Sequence, residues 1–500
     1  MSYEYVDGGK KIMAPVCIDT LVKRIILAGE SKNAPGQIYI SAVFFDGYTA
    51  GDVIMKSETW LVQANIHTPQ VIACGIADQL LKNIVVSVVF FYRTCTPHEV
   101  LRDALKTVLN DFQIFAGTLT VDNGKLFIDC NNTGVLFSIN TDNRTLEQVL
   151  HDLPRIKSKE LVDMINPKKA IIHHCPVMTI KLTYLACGGM LLGVCWHHSI
   201  GDMQTFMCLM QAWSQTVNKD EPTLPLIVSD RDAYLQRNLK DNKNTTPGVR
   251  YLNTRELLLL LFYLLVCGRN KSELRFYFSR NELRNMKQEF SAKTQQKLSK
   301  NDVLCAHVFS MISAVDAYQK PRMLSIAVNF RYKAQLPSNL LGNFVSSMNI
   351  LTNPTVDPVQ CANELRTSID NFQRLHLDFF STRAYIQQNG GLPKIERFLA
   401  KFIDPVNRTL LIANWCNFGV YDVIFGEAKP CYFAPVIDSP IPWLSIISEG
   451  FSNNGLVYTV PLPNPLAKKL MQEENLKKMH QYRDQNEVLP EWVEKLGWVL

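Results

Sequence analysis

The sequence predicts an α/β protein made of two halves of similar size. Strand and helix patterns alternate over residues 84–213 and again over residues 274–330. Between them, over about residues 229–256, the composition shifts to Asp, Arg, Asn, Lys and Thr around one Pro-Gly pair, which is typical of a solvated connection between domains. We therefore expect two αβ units joined by a crossover, and we find no repeat at a solenoid period.

Composition limits the class of protein. The chain has 500 residues, 47% of them apolar and 20% charged, which is typical of a soluble globular protein of two or three domains. Its net charge of +6 is spread along the sequence, which argues weakly against a nucleic-acid surface and suits a small ligand that carries phosphate. Thirteen cysteines lie singly between Cys17 and Cys431, and no secretory signal pattern is present, so we expect reduced thiols in the cytoplasm.

One apolar run bears on membrane insertion. Residues 257–267 are apolar, but eleven residues are fewer than the ~20 that a membrane-spanning helix needs. We expect a buried or interfacial segment and no transmembrane span.

The first elements follow an N-terminal extension over residues 1–57, whose role the sequence leaves open. Within it, a strand-like run over 37–45 ends at the turn signal Asp46-Gly47. A buried strand is predicted over 84–92, and apolar residues at helical spacing predict a helix over 97–112.

Two hairpins are predicted next. The first joins 125–130 to 135–139 through a run of Asn, Thr and Gly. The second pairs 180–184 with 190–196 through Gly188-Gly189, and it leads directly into a pair of histidines. In the second half, the pattern predicts a strand, two helices and another strand, over 274–278, 280–290, 301–314 and 323–330.

The segment Trp196-His197-His198-Ser199-Ile200-Gly201-Asp202-Met203 carries the main candidate site. A histidine held at the end of a strand, with a carboxylate four residues on, suits a general base. Asp202 also has an N-cap residue type, so it either only caps the next helix or fixes the loop that carries His198, and both roles are compatible. His197 alternates with its neighbour along the strand and is expected to pack on the other side.

A metal site is a second hypothesis for the same region. A lone HxxxD pattern arises easily by chance, and the region lacks a recognisable zinc spacing. The candidate ligands are His197, His198 and Asp202, with His173, His174 and Cys175.

Further motifs surround this segment in a fixed order. They are 101–117, Ile128-Asp129-Cys130-Asn131, Gly134-Val135-Leu136-Phe137, Cys187-Gly188-Gly189, Ala212-Trp213, 298–307, Asn329-Phe330-Arg331, Gly342-Asn343-Phe344 and, in part, the DFGWGKP-like stretch 421–430. Over about residues 61–462 the chain thereby resembles the BAHD family of CoA-dependent acyltransferases.

The resemblance implies two chloramphenicol-acetyltransferase-like αβ domains with mixed sheets and a channel between them. We expect an N-terminal acyltransferase domain over 58–228, a crossover linker over 229–270 and a C-terminal acyltransferase domain over 271–500. Acyl-CoA, as co-substrate, and a small-molecule alcohol or amine would meet at His198. No metal, nucleic acid or acyl-enzyme is implied, and we expect a cytoplasmic monomer of specialised metabolism.

The family also implies roles for single residues. His198 would take the acceptor proton, because an imidazole with a pKa near ~6.5 is largely neutral in the cytosol. Asp202 would pair with Arg331, and Gly426 would support the second signature. Trp415 matches a tryptophan proposed to donate its indole N–H to the oxyanion, although an ordinary core tryptophan fits the sequence equally well.

Binding of CoA is less clear from the sequence. Lys297, Ser299 and Lys300 precede a helix whose N-terminal amides would favour phosphate, but an ordinary capped helix start has the same residues. Two positions depart from the family pattern: Met203 replaces a Gly and Ile424 replaces an Asp. We expect either that Asp422 or Glu427 supplies the missing polar contact or that Ile424 simply packs.

Two other functions stay open at this stage. A condensation domain shares the His-His-xxx-Asp pattern but takes its acyl group from a carrier protein. A non-catalytic binding relative is compatible with Met203 and Ile424, whereas the presence of both His198 and Asp202 argues against it.

Overall fold

A computed structural model describes residues 58–241, 245–266, 268–353, 357–372, 377–438 and 441–495. Before residue 58 it describes the backbone of four strands, in two antiparallel pairs: β1 (Ser2–Asp7) with β2 (Lys10–Pro15), and β3 (Ile25–Glu30) with β4 (Ile38–Val43). The strand predicted over 37–45 corresponds to β4. The turn predicted at Asp46-Gly47 lies outside the described residues.

The first half is built on a mixed six-stranded sheet in which only one neighbouring pair, β10 and β11, is parallel. In spatial order its strands are β19 (Pro430–Pro435), β7 (Val85–Tyr92), β12 (Met190–His197), β11 (Met178–Leu185), β10 (Val135–Asp142) and β5 (Glu58–Val62). The strand predicted over 84–92 is confirmed as β7, and the predicted second hairpin is confirmed as the antiparallel pair β11 and β12. Every residue of β12 is buried, so the candidate histidines follow a central strand.

Helices cover both faces of this sheet. Alternate side chains of β7 point to opposite sides, so Phe90 packs into one apolar cluster and Phe91 into another. The covering helices are α2 (His98–Val108) and α6 (Met203–Val217) on the first side and α3 (Leu146–Asp152) and α4 (Ser158–Leu161) on the second, with α1 (Ile76–Leu80) and α5 (Pro167–Ile172) beside them. The helix predicted over 97–112 is confirmed as α2.

The predicted hairpin of 125–130 with 135–139 is wrong, although both strands exist. The first strand, β9 (Lys125–Asp129), lies between β6 (Val71–Ala73) and β8 (Thr118–Asp122) in a separate sheet, whereas β10 pairs with β5 and β11. Between β9 and β10, Asn132 has a φ of +54° and its side chain accepts a hydrogen bond from the Ala64 backbone N–H at 2.8 Å. The turn-forming residues therefore lead the chain from one sheet to the next, because they bond to the segment after β5.

The second half is built on another mixed sheet. In spatial order its strands are β14 (Lys271–Phe278), β21 (Leu456–Pro463), β20 (Leu444–Glu449), β18 (Leu410–Asn414), β15 (Arg322–Asn329) and β16 (Val345–Thr352). The helices of this half are α9 (Arg280–Thr294), α10 (Lys300–Val315), α11 (Pro358–Asn371), α12 (Phe379–Gln388), α13 (Asn464–Leu470), α14 (Glu473–Met479) and α15 (Glu491–Lys495). The four elements predicted between 274 and 330 are confirmed as β14, α9, α10 and β15.

The connection between the halves contains regular structure. Residues 229–270 include α7 (Arg231–Asn238), β13 (Val249–Tyr251) and α8 (Thr254–Val266), and β13 pairs with β17 (Phe398–Ala400). The polar composition seen there partly reflects helix caps, since the Asp230 side chain accepts from the backbone N–H of Ala233. None of the helices in the described residues has the length and apolar content to cross a bilayer.

Candidate active site

The histidine pair lies where β12 ends and the chain turns into α6. The backbone N–H of His198 donates to the Ile84 carbonyl at 3.0 Å, which holds the turn against the start of β7. Residues His198–Ile200 form a single 3-10 turn, and Asp202 caps α6 by accepting from the Thr205 backbone N–H at 3.0 Å. The strand end and the helix start thus fix His198 from both sides.

Asp202 and Arg331 form the predicted ion pair across the two halves. The guanidinium donates to both carboxylate oxygens, with Nη1–Oδ2 and Nη2–Oδ1 distances of 2.8 and 3.1 Å. The backbone N–H of Phe344 donates to the same carboxylate at 3.0 Å, and both charged side chains are buried. Asp202 therefore caps α6 and also ties the start of that helix to the second half.

Gly342 lets the second half approach the start of α6 closely. Its φ is +146°, and a Cβ there would stand 2.8 Å from Nε of Arg231. The Gly342 carbonyl accepts from Arg331 at 3.0 Å and from the Thr205 hydroxyl at 2.9 Å. A side chain at this position would clash with Arg231 and Phe344.

Each backbone carbonyl from His198 to Gly201 accepts a hydrogen bond from a side chain. Asn343 donates to the His198 carbonyl at 2.7 Å, and Trp196 donates to the Gly201 carbonyl at 3.0 Å. Arg231 donates to the two carbonyls between them, those of Ser199 and Ile200, at 3.1 and 2.8 Å. We call these three side chains the carbonyl clamp; they leave the loop that carries His198 little freedom to move.

A second buried ion pair supports the carbonyl clamp. Asp78 lies 2.9 Å from Nη1 of Arg231 and accepts from Asn343 at 2.8 Å, and both members of the pair are buried. The backbone carbonyl of Asp78 accepts from the Ser199 hydroxyl at 2.8 Å. Asp78 and Arg231 were not predicted from the sequence, because Arg231 stands in a polar stretch that resembles a linker and no periodic pattern marks either residue.

The pKa shifts favour a neutral imidazole at His198 beside the charged pair of Asp202 and Arg331. Burial lowers the pKa of His198 below its ordinary value, and the nearby carboxylates of Asp202 and Asp78 only partly oppose this. Burial alone would raise the pKa of Asp202, but the Arg331 guanidinium together with the backbone N–H groups of Phe344 and Thr205 lowers that pKa. Burial lowers the pKa of His197 to about 4, so His197 is neutral as well.

His198 is partly exposed as a residue, whereas His197 is fully buried. The Nδ1 atom of His198 is buried and has no hydrogen-bond partner among the described residues. The Nδ1 of His197 accepts from the backbone N–H of Ser199 at 3.2 Å. His197 therefore supports the turn, and His198 is the more exposed of the two histidines. Among the described residues, no cluster of three or more His, Cys, Asp or Glu side chains could hold a metal ion.

The other candidate residues make no hydrogen bond to His198 among the described residues. Trp415 packs partly buried against the apolar core of the first half, with its ring 6.3 Å from that of Phe433, and no hydrogen bond joins it to His198. Ser299 caps α10 in a reciprocal capping box with Asp302, so its hydroxyl already has a structural partner. Lys297 and Lys300 are exposed beside this helix start, and Lys297 lines a cavity of about 310 Å³ with Arg366.

The second signature docks on the end of α6. The Ser214 hydroxyl accepts from the Ile424 N–H and donates to the Ile424 carbonyl, at 2.9 and 2.7 Å. The Asn218 side chain accepts from the Gly426 N–H at 2.9 Å, and Gly426 has a φ of +63° in the turn. The carboxylates of Asp422 and Glu427 are exposed and make no hydrogen bond with the described residues, so α6 supplies the polar contacts and Ile424 packs, half-buried.

Sequence comparisons identify the family. The sequence profile described as the Transferase family matches residues 53–468. The chain is 24% identical over 405 residues to akuammiline synthase 1 of Alstonia scholaris, and the aligned region covers 77% of this chain and 88% of that protein. It is 23% identical over 438 residues to shikimate O-hydroxycinnamoyltransferase of Nicotiana tabacum, which covers 82% of this chain and 93% of that protein.

Solved structures share the fold. F. graminearum TRI101 complexed with coenzyme A and T-2 mycotoxin has a TM-score of 0.66 at 17% identity, and the match covers 81% of this chain and 98% of that one. Vinorine synthase has a TM-score of 0.62 at 18% identity, and the match covers 83% of this chain and 96% of that one. The predicted chloramphenicol-acetyltransferase-like fold is thereby confirmed. The chain belongs to the Transferase family, the BAHD acyltransferases, and is an acyltransferase.

Proposed function

We propose that this enzyme transfers an acyl group from a CoA thioester to the hydroxyl or amine of a small molecule, with His198 as general base and without an acyl-enzyme. The observation that carries the proposal is a partly exposed histidine with a lowered pKa, on a loop whose carbonyls are all held by side chains. A neutral imidazole in a fixed pose can accept a proton without prior activation. The relatives named above support the substrate class, since one of them is an O-hydroxycinnamoyltransferase.

The chemical step needs one proton carrier. Nε2 of His198 takes the acceptor proton as the acceptor oxygen or nitrogen attacks the thioester carbonyl. The tetrahedral intermediate then breaks its C–S bond, and the imidazolium returns the proton to the departing CoA thiolate. The indole N–H of Trp415 makes no hydrogen bond within the described residues, and we propose it as a donor to the oxyanion, a contact worth ~3 kcal/mol of barrier in other enzymes.

We further propose that Lys297 and Lys300 contact the phosphates of CoA. TRI101 is a fold relative that holds CoA, and the two lysines here are exposed at the start of α10. The buried Asp302 lies at the same helix start, where Arg366 pairs with it at 3.4 Å and compensates its charge, so it does not offset the attraction of the two lysines for phosphate. Replacing both lysines with Ala should raise the KM for acyl-CoA severalfold and leave the KM for the acceptor unchanged. An unchanged KM for acyl-CoA would remove them from the binding site.

The decisive experiment compares wild type with His198→Ala. Thiol release is measured with a panel of acyl-CoAs and a metabolite extract as acceptor, and product masses identify both substrates. We expect His198→Ala to lose at least about a hundredfold in rate, within the usual contribution of a general base. His173→Ala is the matched control, because that histidine is exposed and distant in sequence from the site.

A second measurement separates direct transfer from an acyl-enzyme. The protein is incubated with acyl-CoA alone, and its intact mass is recorded. We expect no added acyl mass, whereas a stable adduct would overturn direct transfer even if His198→Ala is inactive. A carrier-dependent reaction is less well supported, since the condensation domain of MokA matches with a TM-score of only 0.52 at 12% identity.

A further inference from the structure

Helix α8 has an apolar face that no other described part of the protein covers. Sixteen large apolar side chains are exposed in the described residues, and six of them lie on this one helix of 13 residues. The six are Leu258, Leu259, Leu261, Phe262, Leu265 and Val266, of which Phe262 is 64% exposed. Single exposed leucines are ordinary, but a continuous apolar patch of this kind marks an interaction surface.

The opposite side of α8 is fixed to the second half of the protein. Leu260 is buried beneath the helix, and the Tyr263 hydroxyl accepts from the Trp443 indole N–H at 3.0 Å. In the first turn, Glu256 accepts from the Asn253 backbone N–H at 2.9 Å and pairs with Arg250 at 3.0 Å. These contacts orient the helix, so its apolar face points away from the body of the protein.

Arginines stand at both ends of this face. Arg255 lies in the first turn and Arg269 follows the last turn; both are exposed, and neither forms an ion pair with another described residue. Glu256 is the one carboxylate in the helix sequence, and Arg250 already neutralises it. An apolar face with cations at its ends is complementary to an anionic bilayer surface, where acyl chains surround the leucines and headgroups neutralise the arginines.

We propose that α8 docks on the surface of an anionic phospholipid membrane. At 1.5 Å per residue its 13 residues extend about 20 Å, less than the ~30 Å hydrocarbon core, so the helix would lie in the interface plane. A second copy of the chain fits this face less well. In a twofold-symmetric antiparallel pair of α8 helices, Arg255 of each copy would face the end that carries Arg269 of the other, and like charges would repel.

Cosedimentation of the full chain with lipid vesicles tests the proposal. One set of vesicles is phosphatidylcholine alone, and the other is phosphatidylcholine and phosphatidylserine in equal molar parts. We expect wild type to bind the anionic vesicles, and Leu258→Ser combined with Phe262→Ser to weaken this binding by about tenfold or more. Arg255→Gln combined with Arg269→Gln should weaken binding to the anionic vesicles and leave binding to the neutral ones unchanged.

The matched control is Ile172→Ser combined with Leu351→Ser. These residues are as exposed and apolar as those on α8 but lie elsewhere, so this variant should bind like wild type. Unchanged circular dichroism and Tm establish that each variant is folded. The proposal is overturned if wild type does not bind the anionic vesicles, or if the α8 serine variant binds as well as wild type. A dimer that the serine variant abolishes, without vesicle binding, would assign the face to a second copy instead.

Discussion

Two adjacent histidines at the end of β12 behave differently because strand geometry turns them to opposite sides. His197 enters the interior, where its Nδ1 accepts from the Ser199 N–H and burial lowers its pKa to about 4. His198 is partly exposed as a residue, and burial still lowers its pKa. Both side chains are thus neutral near pH 7, and the accessible one is available as a base.

The pH dependence of turnover should report this lowered pKa. A general base works only when it is unprotonated, so activity falls as the pH drops through the pKa of His198. Since that pKa lies below its ordinary value, we expect the acidic limb of kcat/KM to have its midpoint below about pH 6.5. Return to neutral pH after each measurement should restore activity, which distinguishes titration from unfolding. A midpoint above pH 6.5 would contradict the assignment.

At the scale of elements, the site is a junction of distant segments. Trp196 comes from β12, Arg231 from α7, and Asn343 from the connection that precedes β16, yet all three donate to one four-residue loop. Periodicity predicted β12 and α6, and family resemblance predicted the pairing of Asp202 with Arg331. Neither periodicity nor the family resemblance could reveal Asp78 or Arg231, since their contacts depend on chain segments that are brought together only by the tertiary fold.

Arg231→Lys should slow turnover without greatly changing substrate affinity. A lysine retains a cation beside Asp78, but one ammonium group cannot reproduce the planar donation to both the Ser199 and Ile200 carbonyls. A less firmly held His198 should lower kcat by about tenfold and change KM by less than about twofold. Steady-state kinetics measure this, with the exposed Arg237→Lys on the same helix as control. A kcat equal to wild type would show that the clamp does not position the base.

Asp202→Asn should damage folding as well as turnover. The carboxylate accepts from Arg331, from the Thr205 N–H and from the Phe344 N–H, whereas an amide would direct its own donors at some of them. Loss of one partner of a buried pair costs ~3–5 kcal/mol, which urea unfolding would measure. Asp230→Asn is the control, because this helix cap is more exposed and asparagine caps a helix about as well as aspartate, so the change should cost less than ~1 kcal/mol. A soluble variant with wild-type unfolding free energy and no activity would contradict the structural role.

For the whole molecule, alternation of strand and helix patterns was enough to predict two αβ halves. It was not enough to predict pairing between strands. The expected hairpin at 125–139 is wrong because Asn132 bonds to Ala64, and nothing local in residues 430–435 shows that they pair with β7 as β19. Local periodicity determines whether a segment is a strand, whereas its partner depends on contacts hundreds of residues away.

Stability should decrease as the pH falls from about 6.5 towards 4. His197 in the first half and His307 in the second both have a pKa lowered to about 4 by burial. Over this pH range the unfolded chain binds protons that the folded protein does not, so each histidine can cost up to ~3 kcal/mol of unfolding free energy. Urea unfolding at several pH values measures the slope. His307→Asn should flatten it, whereas the exposed His173→Asn should not; equal slopes would contradict this account.

The strand β19 has a consequence for protein synthesis. Its residues pair with β7, so the ribosome must synthesise the chain as far as Pro435 before the β7 edge of the first sheet can pair with β19. Until then a nascent chain presents a row of free backbone amides and carbonyls, the kind of edge that attracts other unfinished chains. A fragment that ends in the connection between the two halves lacks β19, so its β7 edge stays unpaired. Aggregation of such a fragment would follow from the missing strand rather than from a weak core.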